Sequence, residues 1–419
     1  MAHSPIAFLP AVHRGQLPSD ELIRQAEAGE RPRWEHLELA RRLDAVLIDA
    51  EYLAERGTPV ARLVARHVGL FPAQVVEAFL RRKRFGTVCA WSDRLGLPLA
   101  LLHKVSGWRG DLVLVSAWLS RPKKALFLST LRVHTHLRAI ISGSRSQLDI
   151  AGERLGVPRH KLQLAPWPVD TAFWRPQPGG TPGDVIASVG WEARDYPTLL
   201  EALDGVDVRL EVAVGVTLFA TDAKTGGRGS EEFDLLSAVE PVLRRTYGYR
   251  LQEGLLPKLQ AAQATGRVRV RQQLPPRELR ELYARARFVV VPLHDVDSDC
   301  GITTIVESMA MEKAVIVTRT KGQVGVLEDG VQGMYVPPND PDALRAAIVH
   351  LLAHPEEAER MGRAGRRLVE QRFSLDSYVD RLAPVIAGGH DGDAVDGEGP
   401  TRAGADAGRR APGGAEPAA

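Results

Sequence analysis

Residues 286–310 read ARFVVVPLHDVDSDCGITTIVESMA. The run from Ala286 to Leu293 is apolar apart from Arg287 and has the length of a buried strand. A short acidic loop, His294–Ser298, follows it. The segment Asp299-Cys300-Gly301-Ile302-Thr303-Thr304-Ile305-Val306-Glu307 then opens a helix, with a glycine near its head and a carboxylate on either side. Strand, loop and glycine-led helix in this order is the repeating unit of a parallel α/β sheet, and ligands of such sheets bind beyond the carboxyl ends of the strands.

The same alternation runs outward in both directions. Strand-like runs fall at 6–12, 44–50, 87–91, 111–118 and 139–144, then at 184–190, 208–215, 268–274, 287–293, 314–319 and 333–338. Helical periodicity lies between them in PAQVVEAFLRRKR, SQLDIAGERLG and PPRELRELYARA. The rhythm breaks at LAPWPVDTAFWRPQPGGTPGD, whose five prolines and three glycines mark a connection between two sheets of similar size. The expected organisation is a first Rossmann-like domain over 1–168, a linker over 169–183 and a second domain over 184–372. A helix over 373–387 returns to the first domain, and a Gly/Ala/Asp/Pro tail over 388–419 is expected to be disordered. The stretch 218–264 is long for one crossover and reads as an insertion or a mobile loop.

Composition fits a soluble globular chain of 419 residues, 44% hydrophobic and 25% charged. Cys89 and Cys300 are the only cysteines, too few for a disulfide framework or a thiolate metal site. Neither a convincing signal peptide nor a run of spanning length occurs, so a cytoplasmic location is expected. The net charge of +2 conceals an asymmetry. Through Pro168 there are 25 Lys/Arg against 15 Asp/Glu, and after it 29 against 37. Aromatics are only 6% and no recognition motif for nucleic acid is present, so an anionic substrate or membrane surface is the better partner for the basic half. Arg81-Arg82-Lys83-Arg84, with Lys123 and Lys124, suits peripheral contact with anionic headgroups at the inner membrane face; it equally suits a solvated helix end.

At the quoted segment, Gly301 would let a ligand approach the backbone, and the amides of Ile302, Thr303 and Thr304 would favour a phosphate. Asp299 would accept hydrogen bonds from sugar hydroxyls, and Glu307 would receive a ribose diol. The residues alone also allow a helix cap and a structural hydrogen bond. No G-x-G-x-x-G follows a strand, which sets a nicotinamide-dependent dehydrogenase aside.

Taken in order, these back-half segments resemble the retaining GT-B glycosyltransferases of the family-4 type. The resemblance rests on ASVGWEARDYPTLLEAL, LPPRELRELYARARFVVVPL, DCGITTIVESMAMEKAVIVTRTKGQ and DGVQGMYVPPNDPDALRAAI, and PWPVDTAFWRP is similar to the family's interdomain linker. It implies an α/β fold of the GT-B kind, two facing Rossmann-like domains with a deep cleft. It further implies transfer of a sugar from a nucleotide-diphosphate donor to a hydroxyl acceptor, with retention. The Glu-x7-Glu segment of the family corresponds to Asp299 and Glu307, the first position shortened by a methylene; both are the catalytic candidates. Gly190 and Arg194 join Gly301, Ile302, Thr303, Thr304 and Glu307 as donor-binding candidates. The family's usual Arg after the first-strand glycine is replaced by Trp191, and Arg194 stands near its usual Lys. In the front half Ser116-Ala117-Trp118 stands where many members place a His or Asp. Asp93 and His103 are the acceptor-side candidates, each with an ordinary structural reading beside it. His134 and His136 would diverge on a helix. No metal and no cofactor are expected, and the acceptor, whether glycan, lipid or small molecule, is unknown. A non-catalytic protein that binds a nucleotide sugar or glycan is the second reading.

Overall fold

The computed structural model describes residues 5–11, 17–177, 183–214, 261–272, 274–323 and 325–388, without the side chains of Pro122, Lys123 and Gln272. Residues 218–260 of the expected insertion and 389–419 of the expected tail lie outside them. Among the described residues, two six-stranded parallel sheets carry the fold. The first comprises β1 (Ile6–Leu9), β2 (Val46–Leu47), β3 (Thr87–Ala90), β4 (Asp111–Val115), β5 (Ala139–Ser142) and β6 (Leu162–Leu164), in the order β2-β1-β3-β4-β5-β6. The second comprises β7 (Val185–Val189), β8 (Arg209–Val214), β9 (Val268–Gln272), β10 (Ala286–Val291), β11 (Val315–Thr318) and β12 (Gly333–Val336), in the order β12-β11-β10-β7-β8-β9. This is the GT-B architecture.

The second sheet shows why the apolar runs fold as they do. Val289, Val290 and Val291 of β10 are fully buried, with alternate residues entering hydrophobic clusters on opposite faces. A parallel strand covered on both faces needs apolar residues in succession, which is what the quoted run supplies. Strand order reverses between β7 and β10, so the loops that leave these strands diverge and open a crevice at their carboxyl ends. Gly190 leaves β7 there and the Asp299–Gly301 turn follows β10.

Two elements depart from the sequence expectation. The edge strand β6 was not anticipated, because three residues are too few for a period to register. The proline-rich connection is no bare hinge. Phe173 and Trp174 are 5% and 3% exposed and belong to the core of the second domain. Val169 pairs with the second chain crossing, its amide 2.8 Å from the Phe373 carbonyl while the Leu375 amide returns 3.0 Å to the Val169 carbonyl.

The last helix, Leu375–Ala387, packs on the first sheet. Leu375, Tyr378, Leu382 and Ile386 form one stripe against Phe8, Cys89, Val113 and Ile141. Burial of each such side chain contributes about 1.5–3 kcal/mol. Arg138 holds the helix end through the carbonyls of Val385 (2.6 Å) and Ile386 (2.9 Å), and Gly388 caps it at φ 87°. In the basic run, Arg81 pairs with Glu77 and Arg82 lies over the rings of Phe79 and Trp108, while Lys83 and Arg84 are exposed. No helix among the described residues is long and apolar enough to cross a membrane.

Candidate active site

The helix Ile302–Ala310 starts at the crevice between β7 and β10. Its N-cap, Gly301, has φ 92°, a left-handed conformation that L side chains rarely adopt. An added Cβ would stand 3.0 Å from Val291 and 3.3 Å from Arg194. No side chain caps this helix, unlike those begun by Thr58, Ser92, Asp195, Asp340 and Ser374. The Ile302 amide is not available to a ligand, which corrects its expected role. It closes a turn onto the Asp299 carbonyl at 3.1 Å, as the left-handed glycine requires. The amides of Thr303 and Thr304 have no backbone partner among the described residues, so they are the donors left open at the positive end of the helix. Thr303 is exposed to the cleft.

Arg194 is only 7% exposed. Its Nε donates to the Val189 carbonyl at 2.9 Å, Nη1 to the Glu192 carbonyl at 2.9 Å and Nη2 to Thr304 Oγ1 at 3.0 Å. Gly190 (φ 103°) lies against the guanidinium so closely that a side chain there would collide with it. Arg194 therefore clamps the end of β7 to the helix start. Its charge sits beneath the open amides, while three of its five N–H groups are committed to protein.

The two carboxyl groups differ in what surrounds them. Glu307 is 8% exposed and accepts from the Tyr283 hydroxyl at 3.0 Å; burial nevertheless pushes it up to about 8. Asp299 is 9% exposed, and burial pushes it up to about 6, opposed by the indole N–H of Trp167 and assisted by nearby Glu192. Its Oδ2 is buried without a hydrogen-bond partner among the described residues. A buried acceptor left open at a cleft wall is costly unless a ligand fills it. Residues 295–299 also carry Asp-x-Asp spacing, a pattern that can hold a metal. The structure spreads these groups: Asp295 is exposed and Asp297 Oδ1 receives a bond from Ser120 at 3.3 Å. Among the described residues the group that could hold a metal is elsewhere, at His350, His354 and Glu357.

The first domain closes on this turn. Gln147 Nε2 donates to the Asp297 carbonyl at 2.8 Å, and Ser146 bonds the same oxygen. Gly143, at the end of β5, is where backbone must pass close: a Cβ there would lie 2.5 Å from the Trp167 ring and 3.1 Å from Asp299 Oδ2. Asp93 begins the helix after β3 and pairs with Lys124 at 3.1 Å, Lys124 also bonding the Trp118 carbonyl. It is thus tied through Lys124 to the loop that carries Trp118. His103 is corrected outright: it is 1% exposed in the core, its ring 6.2 Å from that of Phe79, and burial lowers it to about 4. Leu95, Leu99 and His103 share the buried face of the helix Asp93–Val105, and an i, i+4 spacing that fits that face was the sequence signal against it.

Two cavities flank Trp167. One, about 180 Å³, is bounded by Trp118, Glu192, Asp299, Gly301 and Thr303. The other, about 170 Å³, is bounded by Arg31, Glu35, Trp174, Leu279, Thr303 and Glu307. Thr303 touches both, so the open helix start stands between a chamber holding Asp299 and a chamber holding Glu307. Trp167, Glu192 and Arg31 went unnoticed in the sequence; for Trp167 the Pro-Trp-Pro context of the linker was an available signal, and the other two had none.

Residues 252–368 match the family model described as Glycosyl transferases group 1. A D-inositol 3-phosphate glycosyltransferase of Segniliparus rotundus is 30% identical over 160 residues, 35% of each chain. An alpha-maltose-1-phosphate synthase of Mycolicibacterium smegmatis is 36% identical over 133 residues, 30% of this chain and 34% of the relative. The match thus spans about a third of these relatives' length. Across the whole chain the fold is similar to that of Anabaena Alr3699/HepE, solved with UDP and glucose, with a TM-score of 0.61 at 13% identity over 92% of this chain and 100% of that one. Sucrose-phosphate synthase from Thermosynechococcus elongatus gives a TM-score of 0.60 at 15% identity, over 91% and 98% of the two chains. At such identities these structures establish the GT-B fold, and the similarity to the family model is confined to residues 252–368.

Proposed function

We propose that this chain transfers a sugar from a nucleoside diphosphate donor to a hydroxyl acceptor, with retention of configuration and without a required metal ion. The observation that carries the reading is the uncapped helix start of Ile302–Ala310, placed at the switch point of the sheet between the buried carboxyls of Asp299 and Glu307. The amides of Thr303 and Thr304, backed by the Arg194 charge, suit the diphosphate. Glu307 suits the ribose diol, and the open Oδ2 of Asp299 suits a hydroxyl of the transferred sugar. In transfer, the bond between the anomeric carbon and the diphosphate oxygen breaks, and the electron pair leaves with the diphosphate. The acceptor oxygen bonds to the anomeric carbon, and its proton passes to the departing diphosphate. Fixed donors aimed at that growing charge lower the barrier because they need no reorganisation. Retention rests on the family resemblance. The metal-free reading is supported by the helix start and Arg194 as a ready positive field.

Gly190, Gly301 and Ile302 serve as framework in this reading: Gly190 and Gly301 leave room for the Arg194 clamp, and Ile302 fixes the turn. A cytoplasmic site of action goes with it, and the exposed Lys83 and Arg84 are the groups that would touch an anionic membrane face. The acceptor is left as a glycan, a lipid or a small molecule. A second reading, donor binding without turnover, is favoured by one observation: Arg194 spends three N–H groups on the protein itself.

A panel of UDP-, GDP-, ADP- and TDP-sugars tests both. Each is assayed for thermal shift and for donor hydrolysis or transfer, in the native chain and in Asp299→Ala and Glu307→Ala. Transfer requires a shift with one donor, turnover of that donor, and loss of turnover in both variants. A shift without turnover over many acceptors selects the binding reading. Unaltered affinity and turnover in both variants would remove this segment from the site.

A further inference from the structure

Arg31 is 8% exposed, and among the described residues it makes no hydrogen bond and no ion pair. Its Nε is buried without a partner, and the carboxylates of Glu21 and Glu30 act on it only through space. Burying the Nε without a partner is costly, and the guanidinium borders a cavity, so its position suits a ligand. The loop that carries it is fixed from both domains. The Arg33 amide and guanidinium reach the Asp170 carboxylate, each at 2.9 Å, and Arg277 Nε donates to the Gly29 carbonyl at 3.2 Å.

Arg31 and Glu35 line the same cavity as Thr303 and Glu307. The helix rises by about 6 Å between Thr303 and Glu307, away from its open start. A donor whose diphosphate rests on the Thr303 and Thr304 amides and whose ribose reaches Glu307 therefore directs its base into this chamber. The transferred sugar then points the other way, toward Asp299. This step rests on the donor reading given above.

We propose that Arg31 and Glu35 of the first domain read the nucleobase, selecting one whose edge sets a ring carbonyl beside a ring N–H. Guanine and uracil both carry that edge. Adenine carries an amine in place of the carbonyl and no ring N–H beside it. A guanidinium only donates and a carboxylate accepts, so the pair matches the first edge and opposes the adenine amine with a donor. Pairing of Arg with a base carbonyl is a strong charge-assisted contact. The first domain then sets donor choice, although the ribose and diphosphate rest on the second.

Isothermal titration of the full-length chain with UDP, GDP and ADP, for the native chain, Arg31→Gln and Glu35→Gln, tests this. The native chain should bind either UDP or GDP at least about tenfold more tightly than ADP, and the two titrations decide which base is preferred. Arg31→Gln should lose about tenfold to a hundredfold in affinity for the preferred nucleotide and less than about threefold for ADP. Glu35→Gln should narrow the same preference. A thermal midpoint in Arg31→Gln at or above that of the native chain shows that the fold is intact, as expected when a buried Nε without a partner is removed. If Arg31→Gln keeps the native preference and affinity, or if the native chain prefers ADP, the base-reading assignment falls and the donor site stands. If the native chain binds none of the three, the donor reading falls with it.

Discussion

After β3 the first domain turns into its helix through Ser92, whose hydroxyl accepts from the Arg94 amide at 3.2 Å, and the adjoining Asp93 is matched to Lys124. After β10 the second domain makes the same strand-to-helix turn through Gly301, with no side chain on the helix start and an unmatched oxygen on Asp299. The two turns occupy equivalent edges of similar sheets. One satisfies its own donors and charges, and the other leaves them open among the described residues. A parallel sheet thus supplies a place for chemistry at every carboxyl edge, and local satisfaction decides which edge is used. That contrast is what supports the proposed donor site in the second domain over one in the first.

The largest expected effect tests the contrast directly. Glu307→Ala and Asp299→Ala should each reduce kcat/KM for the donor by about a hundredfold or more, whereas Asp93→Asn should stay within about threefold of the native value. Steady-state kinetics with the donor identified in the panel decides it, and a large loss in Asp93→Asn would bring the first-domain turn into the site. Next, Gly301→Ala should cost about 1–3 kcal/mol of stability and weaken donor binding, because it strains the left-handed cap and presses on Val291. Ser92→Ala should cost about 1 kcal/mol through loss of an ordinary cap, with donor affinity unchanged. Denaturant unfolding and titration of both variants separate the two kinds of turn.

The acidity of Glu307 gives a third test. Its carboxyl is raised from 4.5 to about 8 in the folded chain, so between these values the native state holds a proton that the unfolded state has lost. Stability is then greatest below about pH 4.5 and falls as pH rises toward 8, by at most about 1.4 kcal/mol per unit from this group. Glu307→Gln should flatten that fall in unfolding experiments at pH 5 and pH 8. Since a ribose diol donates to the carboxylate, nucleotide binding to the native chain near pH 7 should release a proton. Titration in buffers of different ionisation enthalpy measures it, and equal apparent enthalpies would contradict the role. The smallest effect is expected at His103→Leu, which fills a core position of similar size: turnover unchanged and stability within about 1.5 kcal/mol.

Much of the fold was legible because parallel strands covered on both faces must be apolar in succession, as Val289–Val291 are. The three residues of β6 were too few to show a period, and the burial of Phe173 and Trp174 was hidden by the prolines around them. Within the site, the glycine and the two carboxylates of the 299–307 segment stood out by residue type and spacing. Arg194 also stood out, but its commitment to Val189, Glu192 and Thr304 depends on where β7 meets the helix. His103 was drawn in by its chemistry and placed in the core by its helical face.

The sequence by itself determined the parallel α/β class, the division into two domains and the segment that forms the open helix start. Those properties are written in short-range patterns: apolar runs, helical periods, and a glycine where a left-handed turn is needed. Only the tertiary structure decided that Trp167 and Gly143 close on Asp299, and that Arg31, without a partner among the described residues, shares a chamber with Glu307. Those partners come from the linker and from the other domain, some 130 to 280 residues away along the chain. Which side chains remain unsatisfied is fixed by packing between domains, and no local pattern records it.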